Sequence, residues 1–271
     1  MRLLTSRRRH PAAKALLLMF ALFLVGALYT VVAPAARSSA DPTTTQQVEQ
    51  GKQLFAVQCS SCHGLNGEGQ QSGMVLGPSL VGVGEAAVDF QVGTGRMPMA
   101  NPGPQAQKRA NRFTDQEVAA LAAYVASLGP GPAIPAAASY TNDGLSAEEL
   151  ARGGEIFRTN CSACHNYEGA GGALPTGKYA PSLIGVSGKH IYEAMITGPQ
   201  QMPVFSDSVL TPKDKTELIA YLQTLQERPN DGGLGLGSLG PVAEGFWAWI
   251  VGIGGLIAFA AWIAAKGVRS R

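Results

Sequence analysis

The run Cys-Xaa-Xaa-Cys-His occurs twice, as Cys59-Ser60-Ser61-Cys62-His63 and as Cys161-Ser162-Ala163-Cys164-His165, and the two runs use all 4 cysteines of the chain. This spacing is the attachment signature of c-type haem. Two thiols form thioethers with the porphyrin vinyl groups, and the adjacent histidine becomes an axial ligand of iron. A structural zinc site would need two such pairs close together in one fold, whereas here 102 residues separate them. A thioredoxin-like dithiol would need a βαβ context that this sequence lacks. Two covalently bound haems therefore constrain the fold more than any other feature, and they bring one-electron chemistry with them.

The surroundings of the two runs match. Gly51-Lys52-Gln53-Leu54-Phe55 precedes the first by the interval at which Gly153-Gly154-Glu155-Ile156-Phe157 precedes the second. Downstream, Gly77-Pro78-Ser79-Leu80-Val81-Gly82-Val83 answers Ala180-Pro181-Ser182-Leu183-Ile184-Gly185-Val186, and Arg96-Met97-Pro98 answers Gln201-Met202-Pro203. Each unit closes on a helical pattern containing tyrosine, Phe113 to Leu128 and Leu210 to Leu225. This is an internal repeat.

Local signals make the repeat helical. Thr114-Asp115-Gln116-Glu117 reads as a capping box, followed by Val118, Leu121, Val125 and Leu128 at three- and four-residue steps. Thr211 with Pro212 at the first helical position starts the equivalent helix, with Leu218, Leu222 and Leu225 as its apolar stripe. Ser146-Ala147-Glu148-Glu149 is a second capping box and opens the helix leading into the second haem run. The connecting stretches are rich in Gly and Pro, so strands are not expected. The fold class expected is all-α. Units of ~80 residues have marginal cores, and a covalently attached haem would complete each one.

These residues resemble the class I cytochrome c family over roughly 46–128 and 146–226. The resemblance implies a small helical fold whose first and last helices cross, with the haem wedged below them. It assigns a packing role to Gly51, Phe55 and Tyr124 in the first domain and to Gly153, Phe157 and Tyr221 in the second. It also implies that the carbonyls of Pro78 and Pro181 accept the proton of the ligand histidine's other nitrogen, which fixes the ring and raises its basicity.

The sixth ligand expected is methionine, whose sulfur gives a high potential. Outside the amino-terminal segment the candidates are Met74, Met97, Met99, Met195 and Met202. Met97 and Met202 each precede proline and lie 34 and 37 residues after His63 and His165, where the family places its ligand. Met99 is the rival in the first domain. A methionine can equally be a soft core filler. His190, beside Lys189, reads as a surface or loop histidine and receives no role.

The ends place the domains in space. Arg7-Arg8-Arg9-His10 and Lys14 precede an uncharged run from Ala15 to Ala36. A basic head before an apolar stretch is an export signal. The run is longer than a typical signal core and near the ~20 residues that span a bilayer, which favours a retained anchor over 1–40, although Ser38-Ser39-Ala40 before Asp41 is a candidate cleavage site. Residues 245–265 carry no charge, hold Trp247, Trp249 and Trp262 near their ends, and precede Lys266, Arg269 and Arg271 in the tail 266–271. This predicts a transmembrane helix with aromatic belts and a positive tail, and Gly252, Gly254 and Gly255 offer a face another helix can approach. Both termini are then cytoplasmic, and both haem domains face outward.

Between the domains, 129–143 is rich in Pro and Ala, a semi-rigid linker that should hold them near each other. The Gly-rich stretch 228–244 reads as a flexible tether reaching roughly 20 Å. Residues 46–128 carry 5 Lys and Arg against 6 Asp and Glu, and residues 144–227 carry 6 against 9. Neither domain has the basic excess that steers a mobile carrier; Lys108, Arg109 and Arg112 read as a solvated surface cluster, and nothing suggests nucleic-acid binding.

The order of hydrophobic segment, two class I cytochrome domains and membrane helix is similar to the dihaem cytochrome c subunits of actinobacterial cytochrome bcc complexes. That resemblance implies a quinol–cytochrome c reductase in which the chain works beside a cytochrome b subunit and a Rieske iron–sulfur subunit. It further implies electron delivery to a cytochrome c oxidase held in a supercomplex. The haem runs themselves are equally compatible with the dihaem subunit of a cbb-type oxidase, the cytochrome subunit of a membrane dehydrogenase, or a dihaem peroxidase. A peroxidase needs an open iron position, and both domains offer a Met-Pro ligand. The chain by itself shows no quinone site, proton path or substrate pocket.

Overall fold

The computed structural model describes residues 11–32, 42–72, 74–101, 103–141, 144–227, 236 and 240–269, and the chain divides into two units, Met1–Gln46 and Gln47–Arg271. In the first unit, α1 (Pro11–Val32) is an uninterrupted helix. Leu16, Phe20 and Phe23 on it are exposed, and Lys14–Gly26 is an apolar part of it. The candidate cleavage site Ser38-Ser39-Ala40 lies outside the described residues.

The second unit repeats one helical plan. The first copy runs through α2 (Pro42–Gln58, in this unit from Gln47 onward), α3 (Ser60–His63), α4 (Gly84–Gly93) and α5 (Asp115–Ser127). The second copy runs through α6 (Ala147–Asn160), α7 (Ser162–His165), α8 (Gly188–Thr197) and α9 (Pro212–Glu227). The starts of three of these helices are fixed by reciprocal caps. Glu117 N–H donates to Thr114 Oγ1 at 3.3 Å while Thr114 N–H donates to the Glu117 carboxylate at 2.8 Å. Ser146 and Glu149 exchange the same pair of bonds at 3.2 and 2.9 Å. At α9 the partner of Thr211 is Asp214, at 3.2 and 3.0 Å. Each cap satisfies donors that the helix itself leaves open.

First and last helices of each copy approach closely because glycine lets them. A Cβ placed on Gly51 would lie 1.9 Å from the Ala120 carbonyl oxygen, and one on Gly153 would lie 2.1 Å from that of Glu217. Phe55 is 1 % exposed and Phe157 0 %; their rings stand 5.1 Å from Tyr124 and 6.1 Å from Tyr221. The aromatic pairing expected from the resemblance is present in both copies, although in the second Tyr221 lies against Gly154 as well. Val118, Leu121 and Val125 line the first core, and Leu218, Ile219 and Leu222 the second.

The absence of strands expected from the Gly and Pro content is corrected by two short antiparallel pairs. β1 (Gln70–Ser72) pairs with β2 (Met74–Gly77), and β3 (Gly172–Ala173) pairs with β4 (Tyr179–Ala180). They are turns of the haem-run loops tight enough to make ladder hydrogen bonds, too short to show an alternating pattern in sequence.

The linker is held by both copies. Ala86 N–H donates to the Pro132 carbonyl at 3.1 Å, Ile134 N–H to the Glu85 carboxylate at 3.3 Å, and Thr216 Oγ1 to the Ser139 carbonyl at 2.8 Å. Tyr140 packs on the second core. The copies also touch directly. Gln105 donates through Nε2 to the Tyr179 carbonyl at 2.7 Å and accepts from Tyr179 N–H at 3.1 Å. Gln200 Nε2 donates to the Ala106 carbonyl at 3.1 Å, and Lys189 meets the Asp89 carboxylate at 2.7 Å.

The final helix, α10 (Pro241–Arg269), runs past the apolar stretch at both ends. Its segment Pro241–Lys266 is long and apolar enough to cross a membrane, and none of its strongest window is buried against the chain. Trp247, Trp249 and Trp262 are exposed, and the Lys266 ammonium caps the Trp262 ring at 4.4 Å. Most of the glycine-rich tether before it lies outside the described residues.

Two candidate haem-attachment sites

Each Cys-Xaa-Xaa-Cys-His run bridges the end of one helix and a single turn of the next. Cys59 accepts at its carbonyl from Cys62 and His63, and Cys161 from Cys164 and His165, at 2.9–3.1 Å. That turn folds both sulfurs and the histidine to one neighbourhood. The following loop is built identically in both copies. Gly69 N–H donates to the His63 carbonyl at 2.7 Å and Gly171 N–H to that of His165 at 2.9 Å. These glycines have φ of 86° and 88°, and a Cβ on either would lie within 2.8 Å of the backbone at Ser79 or Ser182. The sharp turn and the close approach both require glycine here.

The loop returns a proline to each histidine. His63 Nδ1 donates to the Pro78 carbonyl at 2.8 Å, and His165 Nδ1 to the Pro181 carbonyl at 2.9 Å. With Nδ1 so engaged, Nε2 is the nitrogen free to ligate, and the ring cannot rotate without breaking that bond. Burial pushes the His165 imidazole below its ordinary pKa, partly offset by the Pro181 bond, so it is held in the neutral, ligating form.

The four cysteines form no disulfide. Burial, then the neighbouring thiol, pushes Cys59 up to about 11 and Cys161 up to about 12. Redox-active dithiols have depressed thiol pKa values, so these pairs are poor disulfide-exchange centres. They are equally poor zinc knuckles. Among the described residues the cysteine–histidine runs do not converge into a set of three protein ligands within 4.8 Å; Asp89, His190 and Glu193 do.

In the second copy the run opens on a cavity of about 370 Å³, within the size range of cofactor sites. Cys161, Cys164 and His165 stand on its wall together with Met202, and Phe157 and Leu222 supply apolar sides. Met195, 2 % exposed, reaches the same space. The donor set fits a c-type haem: paired thiols, an oriented imidazole and a thioether around an apolar space. In the first copy Met97 packs with Cys59 and Leu80 against the core, while the Met99 methyl lies toward Gly103.

One expectation changes. His190 is not a surface histidine: it is 21 % exposed in its side chain, stands 3.7 Å from Asp89 of the first copy and faces the Phe90 ring edge-on at 6.2 Å. Lys108, Arg109 and Arg112 are exposed, as expected of a solvated cluster, and Lys108 also lines the second copy's cavity, as do Arg96 and Gln105. Beside His190 lies Glu193, 0 % exposed, neither of whose carboxyl oxygens makes a hydrogen bond. Burial, then the nearby Asp89, pushes Glu193 up to about 9. Burial alone would raise Asp89, but His190 and Lys189 overcome it and hold that carboxyl well below its ordinary value. A neutral acid and an already paired carboxylate make this cluster a contact between copies.

Residues 48–129 match the family model "Cytochrome c", and residues 148–222 match "Cytochrome C oxidase, cbb3-type, subunit III". The fold and its duplicated sites define a dihaem c-type cytochrome, carrying covalently attached haem in both domains. The chain is 43 % identical to the "Cytochrome bc1 complex cytochrome c subunit" of Corynebacterium efficiens, over 95 % of this chain and 90 % of that one. It is 42 % identical to the protein of the same name from Mycobacterium tuberculosis, over 96 % and 93 %. It therefore belongs to the family of cytochrome bc1 complex cytochrome c subunits. A likeness to the cbb3-type cytochrome c oxidase subunit FixP of Sinorhizobium medicae, at 38 % identity, spans only 33 % of this chain.

Proposed function

We propose that this chain is the electron-relaying subunit of a membrane quinol–cytochrome c reductase, accepting electrons from a Rieske iron–sulfur subunit beside cytochrome b and passing them to a cytochrome c oxidase. The observation that carries the reading is the paired site: two histidines fixed by proline carbonyls, in two domains held against each other by Gln105, Gln200 and Lys189. Cys59, Cys62, Cys161 and Cys164 would hold the thioethers. His63 and His165 would ligate iron on one side, Met97 and Met202 on the other. When bound, each haem supplies reversible one-electron transfer at a potential raised by the methionine sulfur.

The chain's own residues do the rest. Pro78 and Pro181 keep the imidazoles oriented. Phe55, Phe157 and the apolar faces of α5 and α9 exclude water, which limits the polar rearrangement that each change of charge demands. The clamped linker sets the distance between the two sites. Pro241–Lys266 would anchor the chain in the bilayer with its basic end inside and both domains outside, following the positive-inside rule. The partial likeness to FixP covers one domain's worth of chain, which favours the bc1-type assembly.

The test is affinity isolation of the tagged chain from mild-detergent membranes, followed by an optical spectrum and protein identification. Co-isolation of b-type haem, a Rieske protein and quinol-driven reductase activity is the expected result. A co-isolated dehydrogenase, or an oxidase without a Rieske protein, would overturn the assignment to this complex. Replacing His63 or His165 should stop turnover of the whole complex if the sites act in series.

A further inference from the structure

The wall of the second domain's cavity has an unusual charge distribution. Among the described residues no Asp or Glu lines it, and its Lys and Arg side chains are Arg96 and Lys108, both from the first domain. The second domain contributes apolar groups, small polar groups and the imidazoles of His165 and His190. Haem is a dianion at its propionate edge, opposite the vinyl edge that the thioethers would fix at Cys161 and Cys164. A buried carboxylate needs a charged or hydrogen-bonding partner.

Arg96 is poised for that role. Its guanidinium donates to Thr94 Oγ1 at 2.6 Å and lies over the Phe90 ring, 4.7 Å from the centroid. No carboxylate among the described residues forms an ion pair with it. An arginine so placed is oriented by the aromatic face and the hydroxyl while keeping donors unspent. Arg96 and Tyr179 of the second domain line the same cavity, so the guanidinium belongs to the region between the domains. The segment carrying Lys108 is pinned there as well, by the Gln105–Tyr179 pair and the Gln200 bond to Ala106.

We propose that the first domain supplies the charge partners of the second domain's haem: Arg96, with Lys108, faces that cavity and binds the propionates across the domain boundary. This rests on reading the cavity as the seat of the second haem. Arg96 is thus a positioning and potential-setting residue for a neighbouring domain's cofactor. A cation near the haem favours the reduced form, which carries one positive charge fewer, and removing it lowers the potential. The released propionate then also titrates nearer neutrality.

The experiment uses the full, haem-loaded chain in its complex, with Arg96→Gln, Arg96→Lys, Lys108→Gln and, as control, Arg112→Gln, a first-domain cation that does not line the cavity. Haem content is measured by the pyridine haemochrome. Potentials are measured by redox titration, with the two ferric haems separated by their electron paramagnetic resonance signals and assigned with Met202→Ala. The expected result is two haems per chain, a lowered and newly pH-dependent potential for the second haem in Arg96→Gln, partial recovery in Arg96→Lys, a smaller shift in Lys108→Gln, and none in Arg112→Gln. Because Arg96 adjoins Met97, a shift confined to the first haem in Arg96→Gln, with none in Lys108→Gln, overturns the proposal. Two retained haems with unchanged potentials overturn it too. A parent chain that never binds the second haem would overturn the underlying reading instead.

Discussion

Gln105 in the first domain and Tyr179 in the second are joined by two hydrogen bonds, the side-chain amide of one serving both backbone polar groups of the other at 2.7 and 3.1 Å. A glutamine used this way extends β4 by one peptide-like partner taken from another domain. Net values of about 0.5–1.5 kcal/mol per hydrogen bond make the pair worth roughly 1–3 kcal/mol to docking. Gln105→Ala should therefore accelerate amide hydrogen exchange at Tyr179 and along the Asp89–Lys189 contact while leaving the cores of α5 and α9 protected. Unchanged exchange at Tyr179 would show that the contact does not restrain the domains.

Glu193 sets a pH dependence. Its folded pKa, about 9, lies above the ordinary glutamate value of 4.5, so between those values the folded chain keeps a proton that the unfolded chain has released. Stability then falls as pH rises through this window. The groups facing Glu193 are Asp89, Lys189 and His190; Asp89, held low, acts oppositely, but its contribution is already complete above its unfolded pKa. Glu193→Gln should flatten the stability profile from about pH 5 to pH 9. Thermal melts of the haem-loaded chain in detergent across that range check it, and a slope equal to the parent's would remove Glu193 as its source.

The methionines can be separated by potential. Met97→Ala and Met202→Ala should each leave the haem attached, because attachment is through the cysteines, and lower one potential, because the sulfur ligand raises it. Met99→Ala should change neither. Redox titration of the three variants decides, and a lowered potential in Met99→Ala alone would make Met99 the ligand of the first haem.

The helix crossings tolerate nothing larger than glycine. A Cβ would meet backbone oxygen at 1.9 Å in Gly51→Ala and 2.1 Å in Gly153→Ala, so the helices must separate. Overpacking of this kind costs about 1–3 kcal/mol or more. Both variants should melt at clearly lower temperature than the parent; equal melting points would mean that the crossing yields at no cost.

What was legible in the sequence was whatever short-range chemistry specifies. Thr114 with Glu117 and Ser146 with Glu149 announce their helices because the capping bonds span three residues. The haem runs, with Pro78 and Pro181 returning to them, are legible because they occur twice. The strand pairs were not, since Gly172–Ala173 against Tyr179–Ala180 is too short for any periodicity. The place of His190 was hidden for a different reason. A titratable side chain reads as solvated until a partner distant in sequence is brought to it, as Asp89 is to His190.

Part of the second cavity's wall, including Arg96, Gln105, Ala106 and Lys108, comes from the first domain. The consequence concerns biogenesis. In a second domain made alone that side of the wall is missing. A second domain made without its neighbour would carry its haem with one edge bare to water, a finished covalent product in an unfinished container.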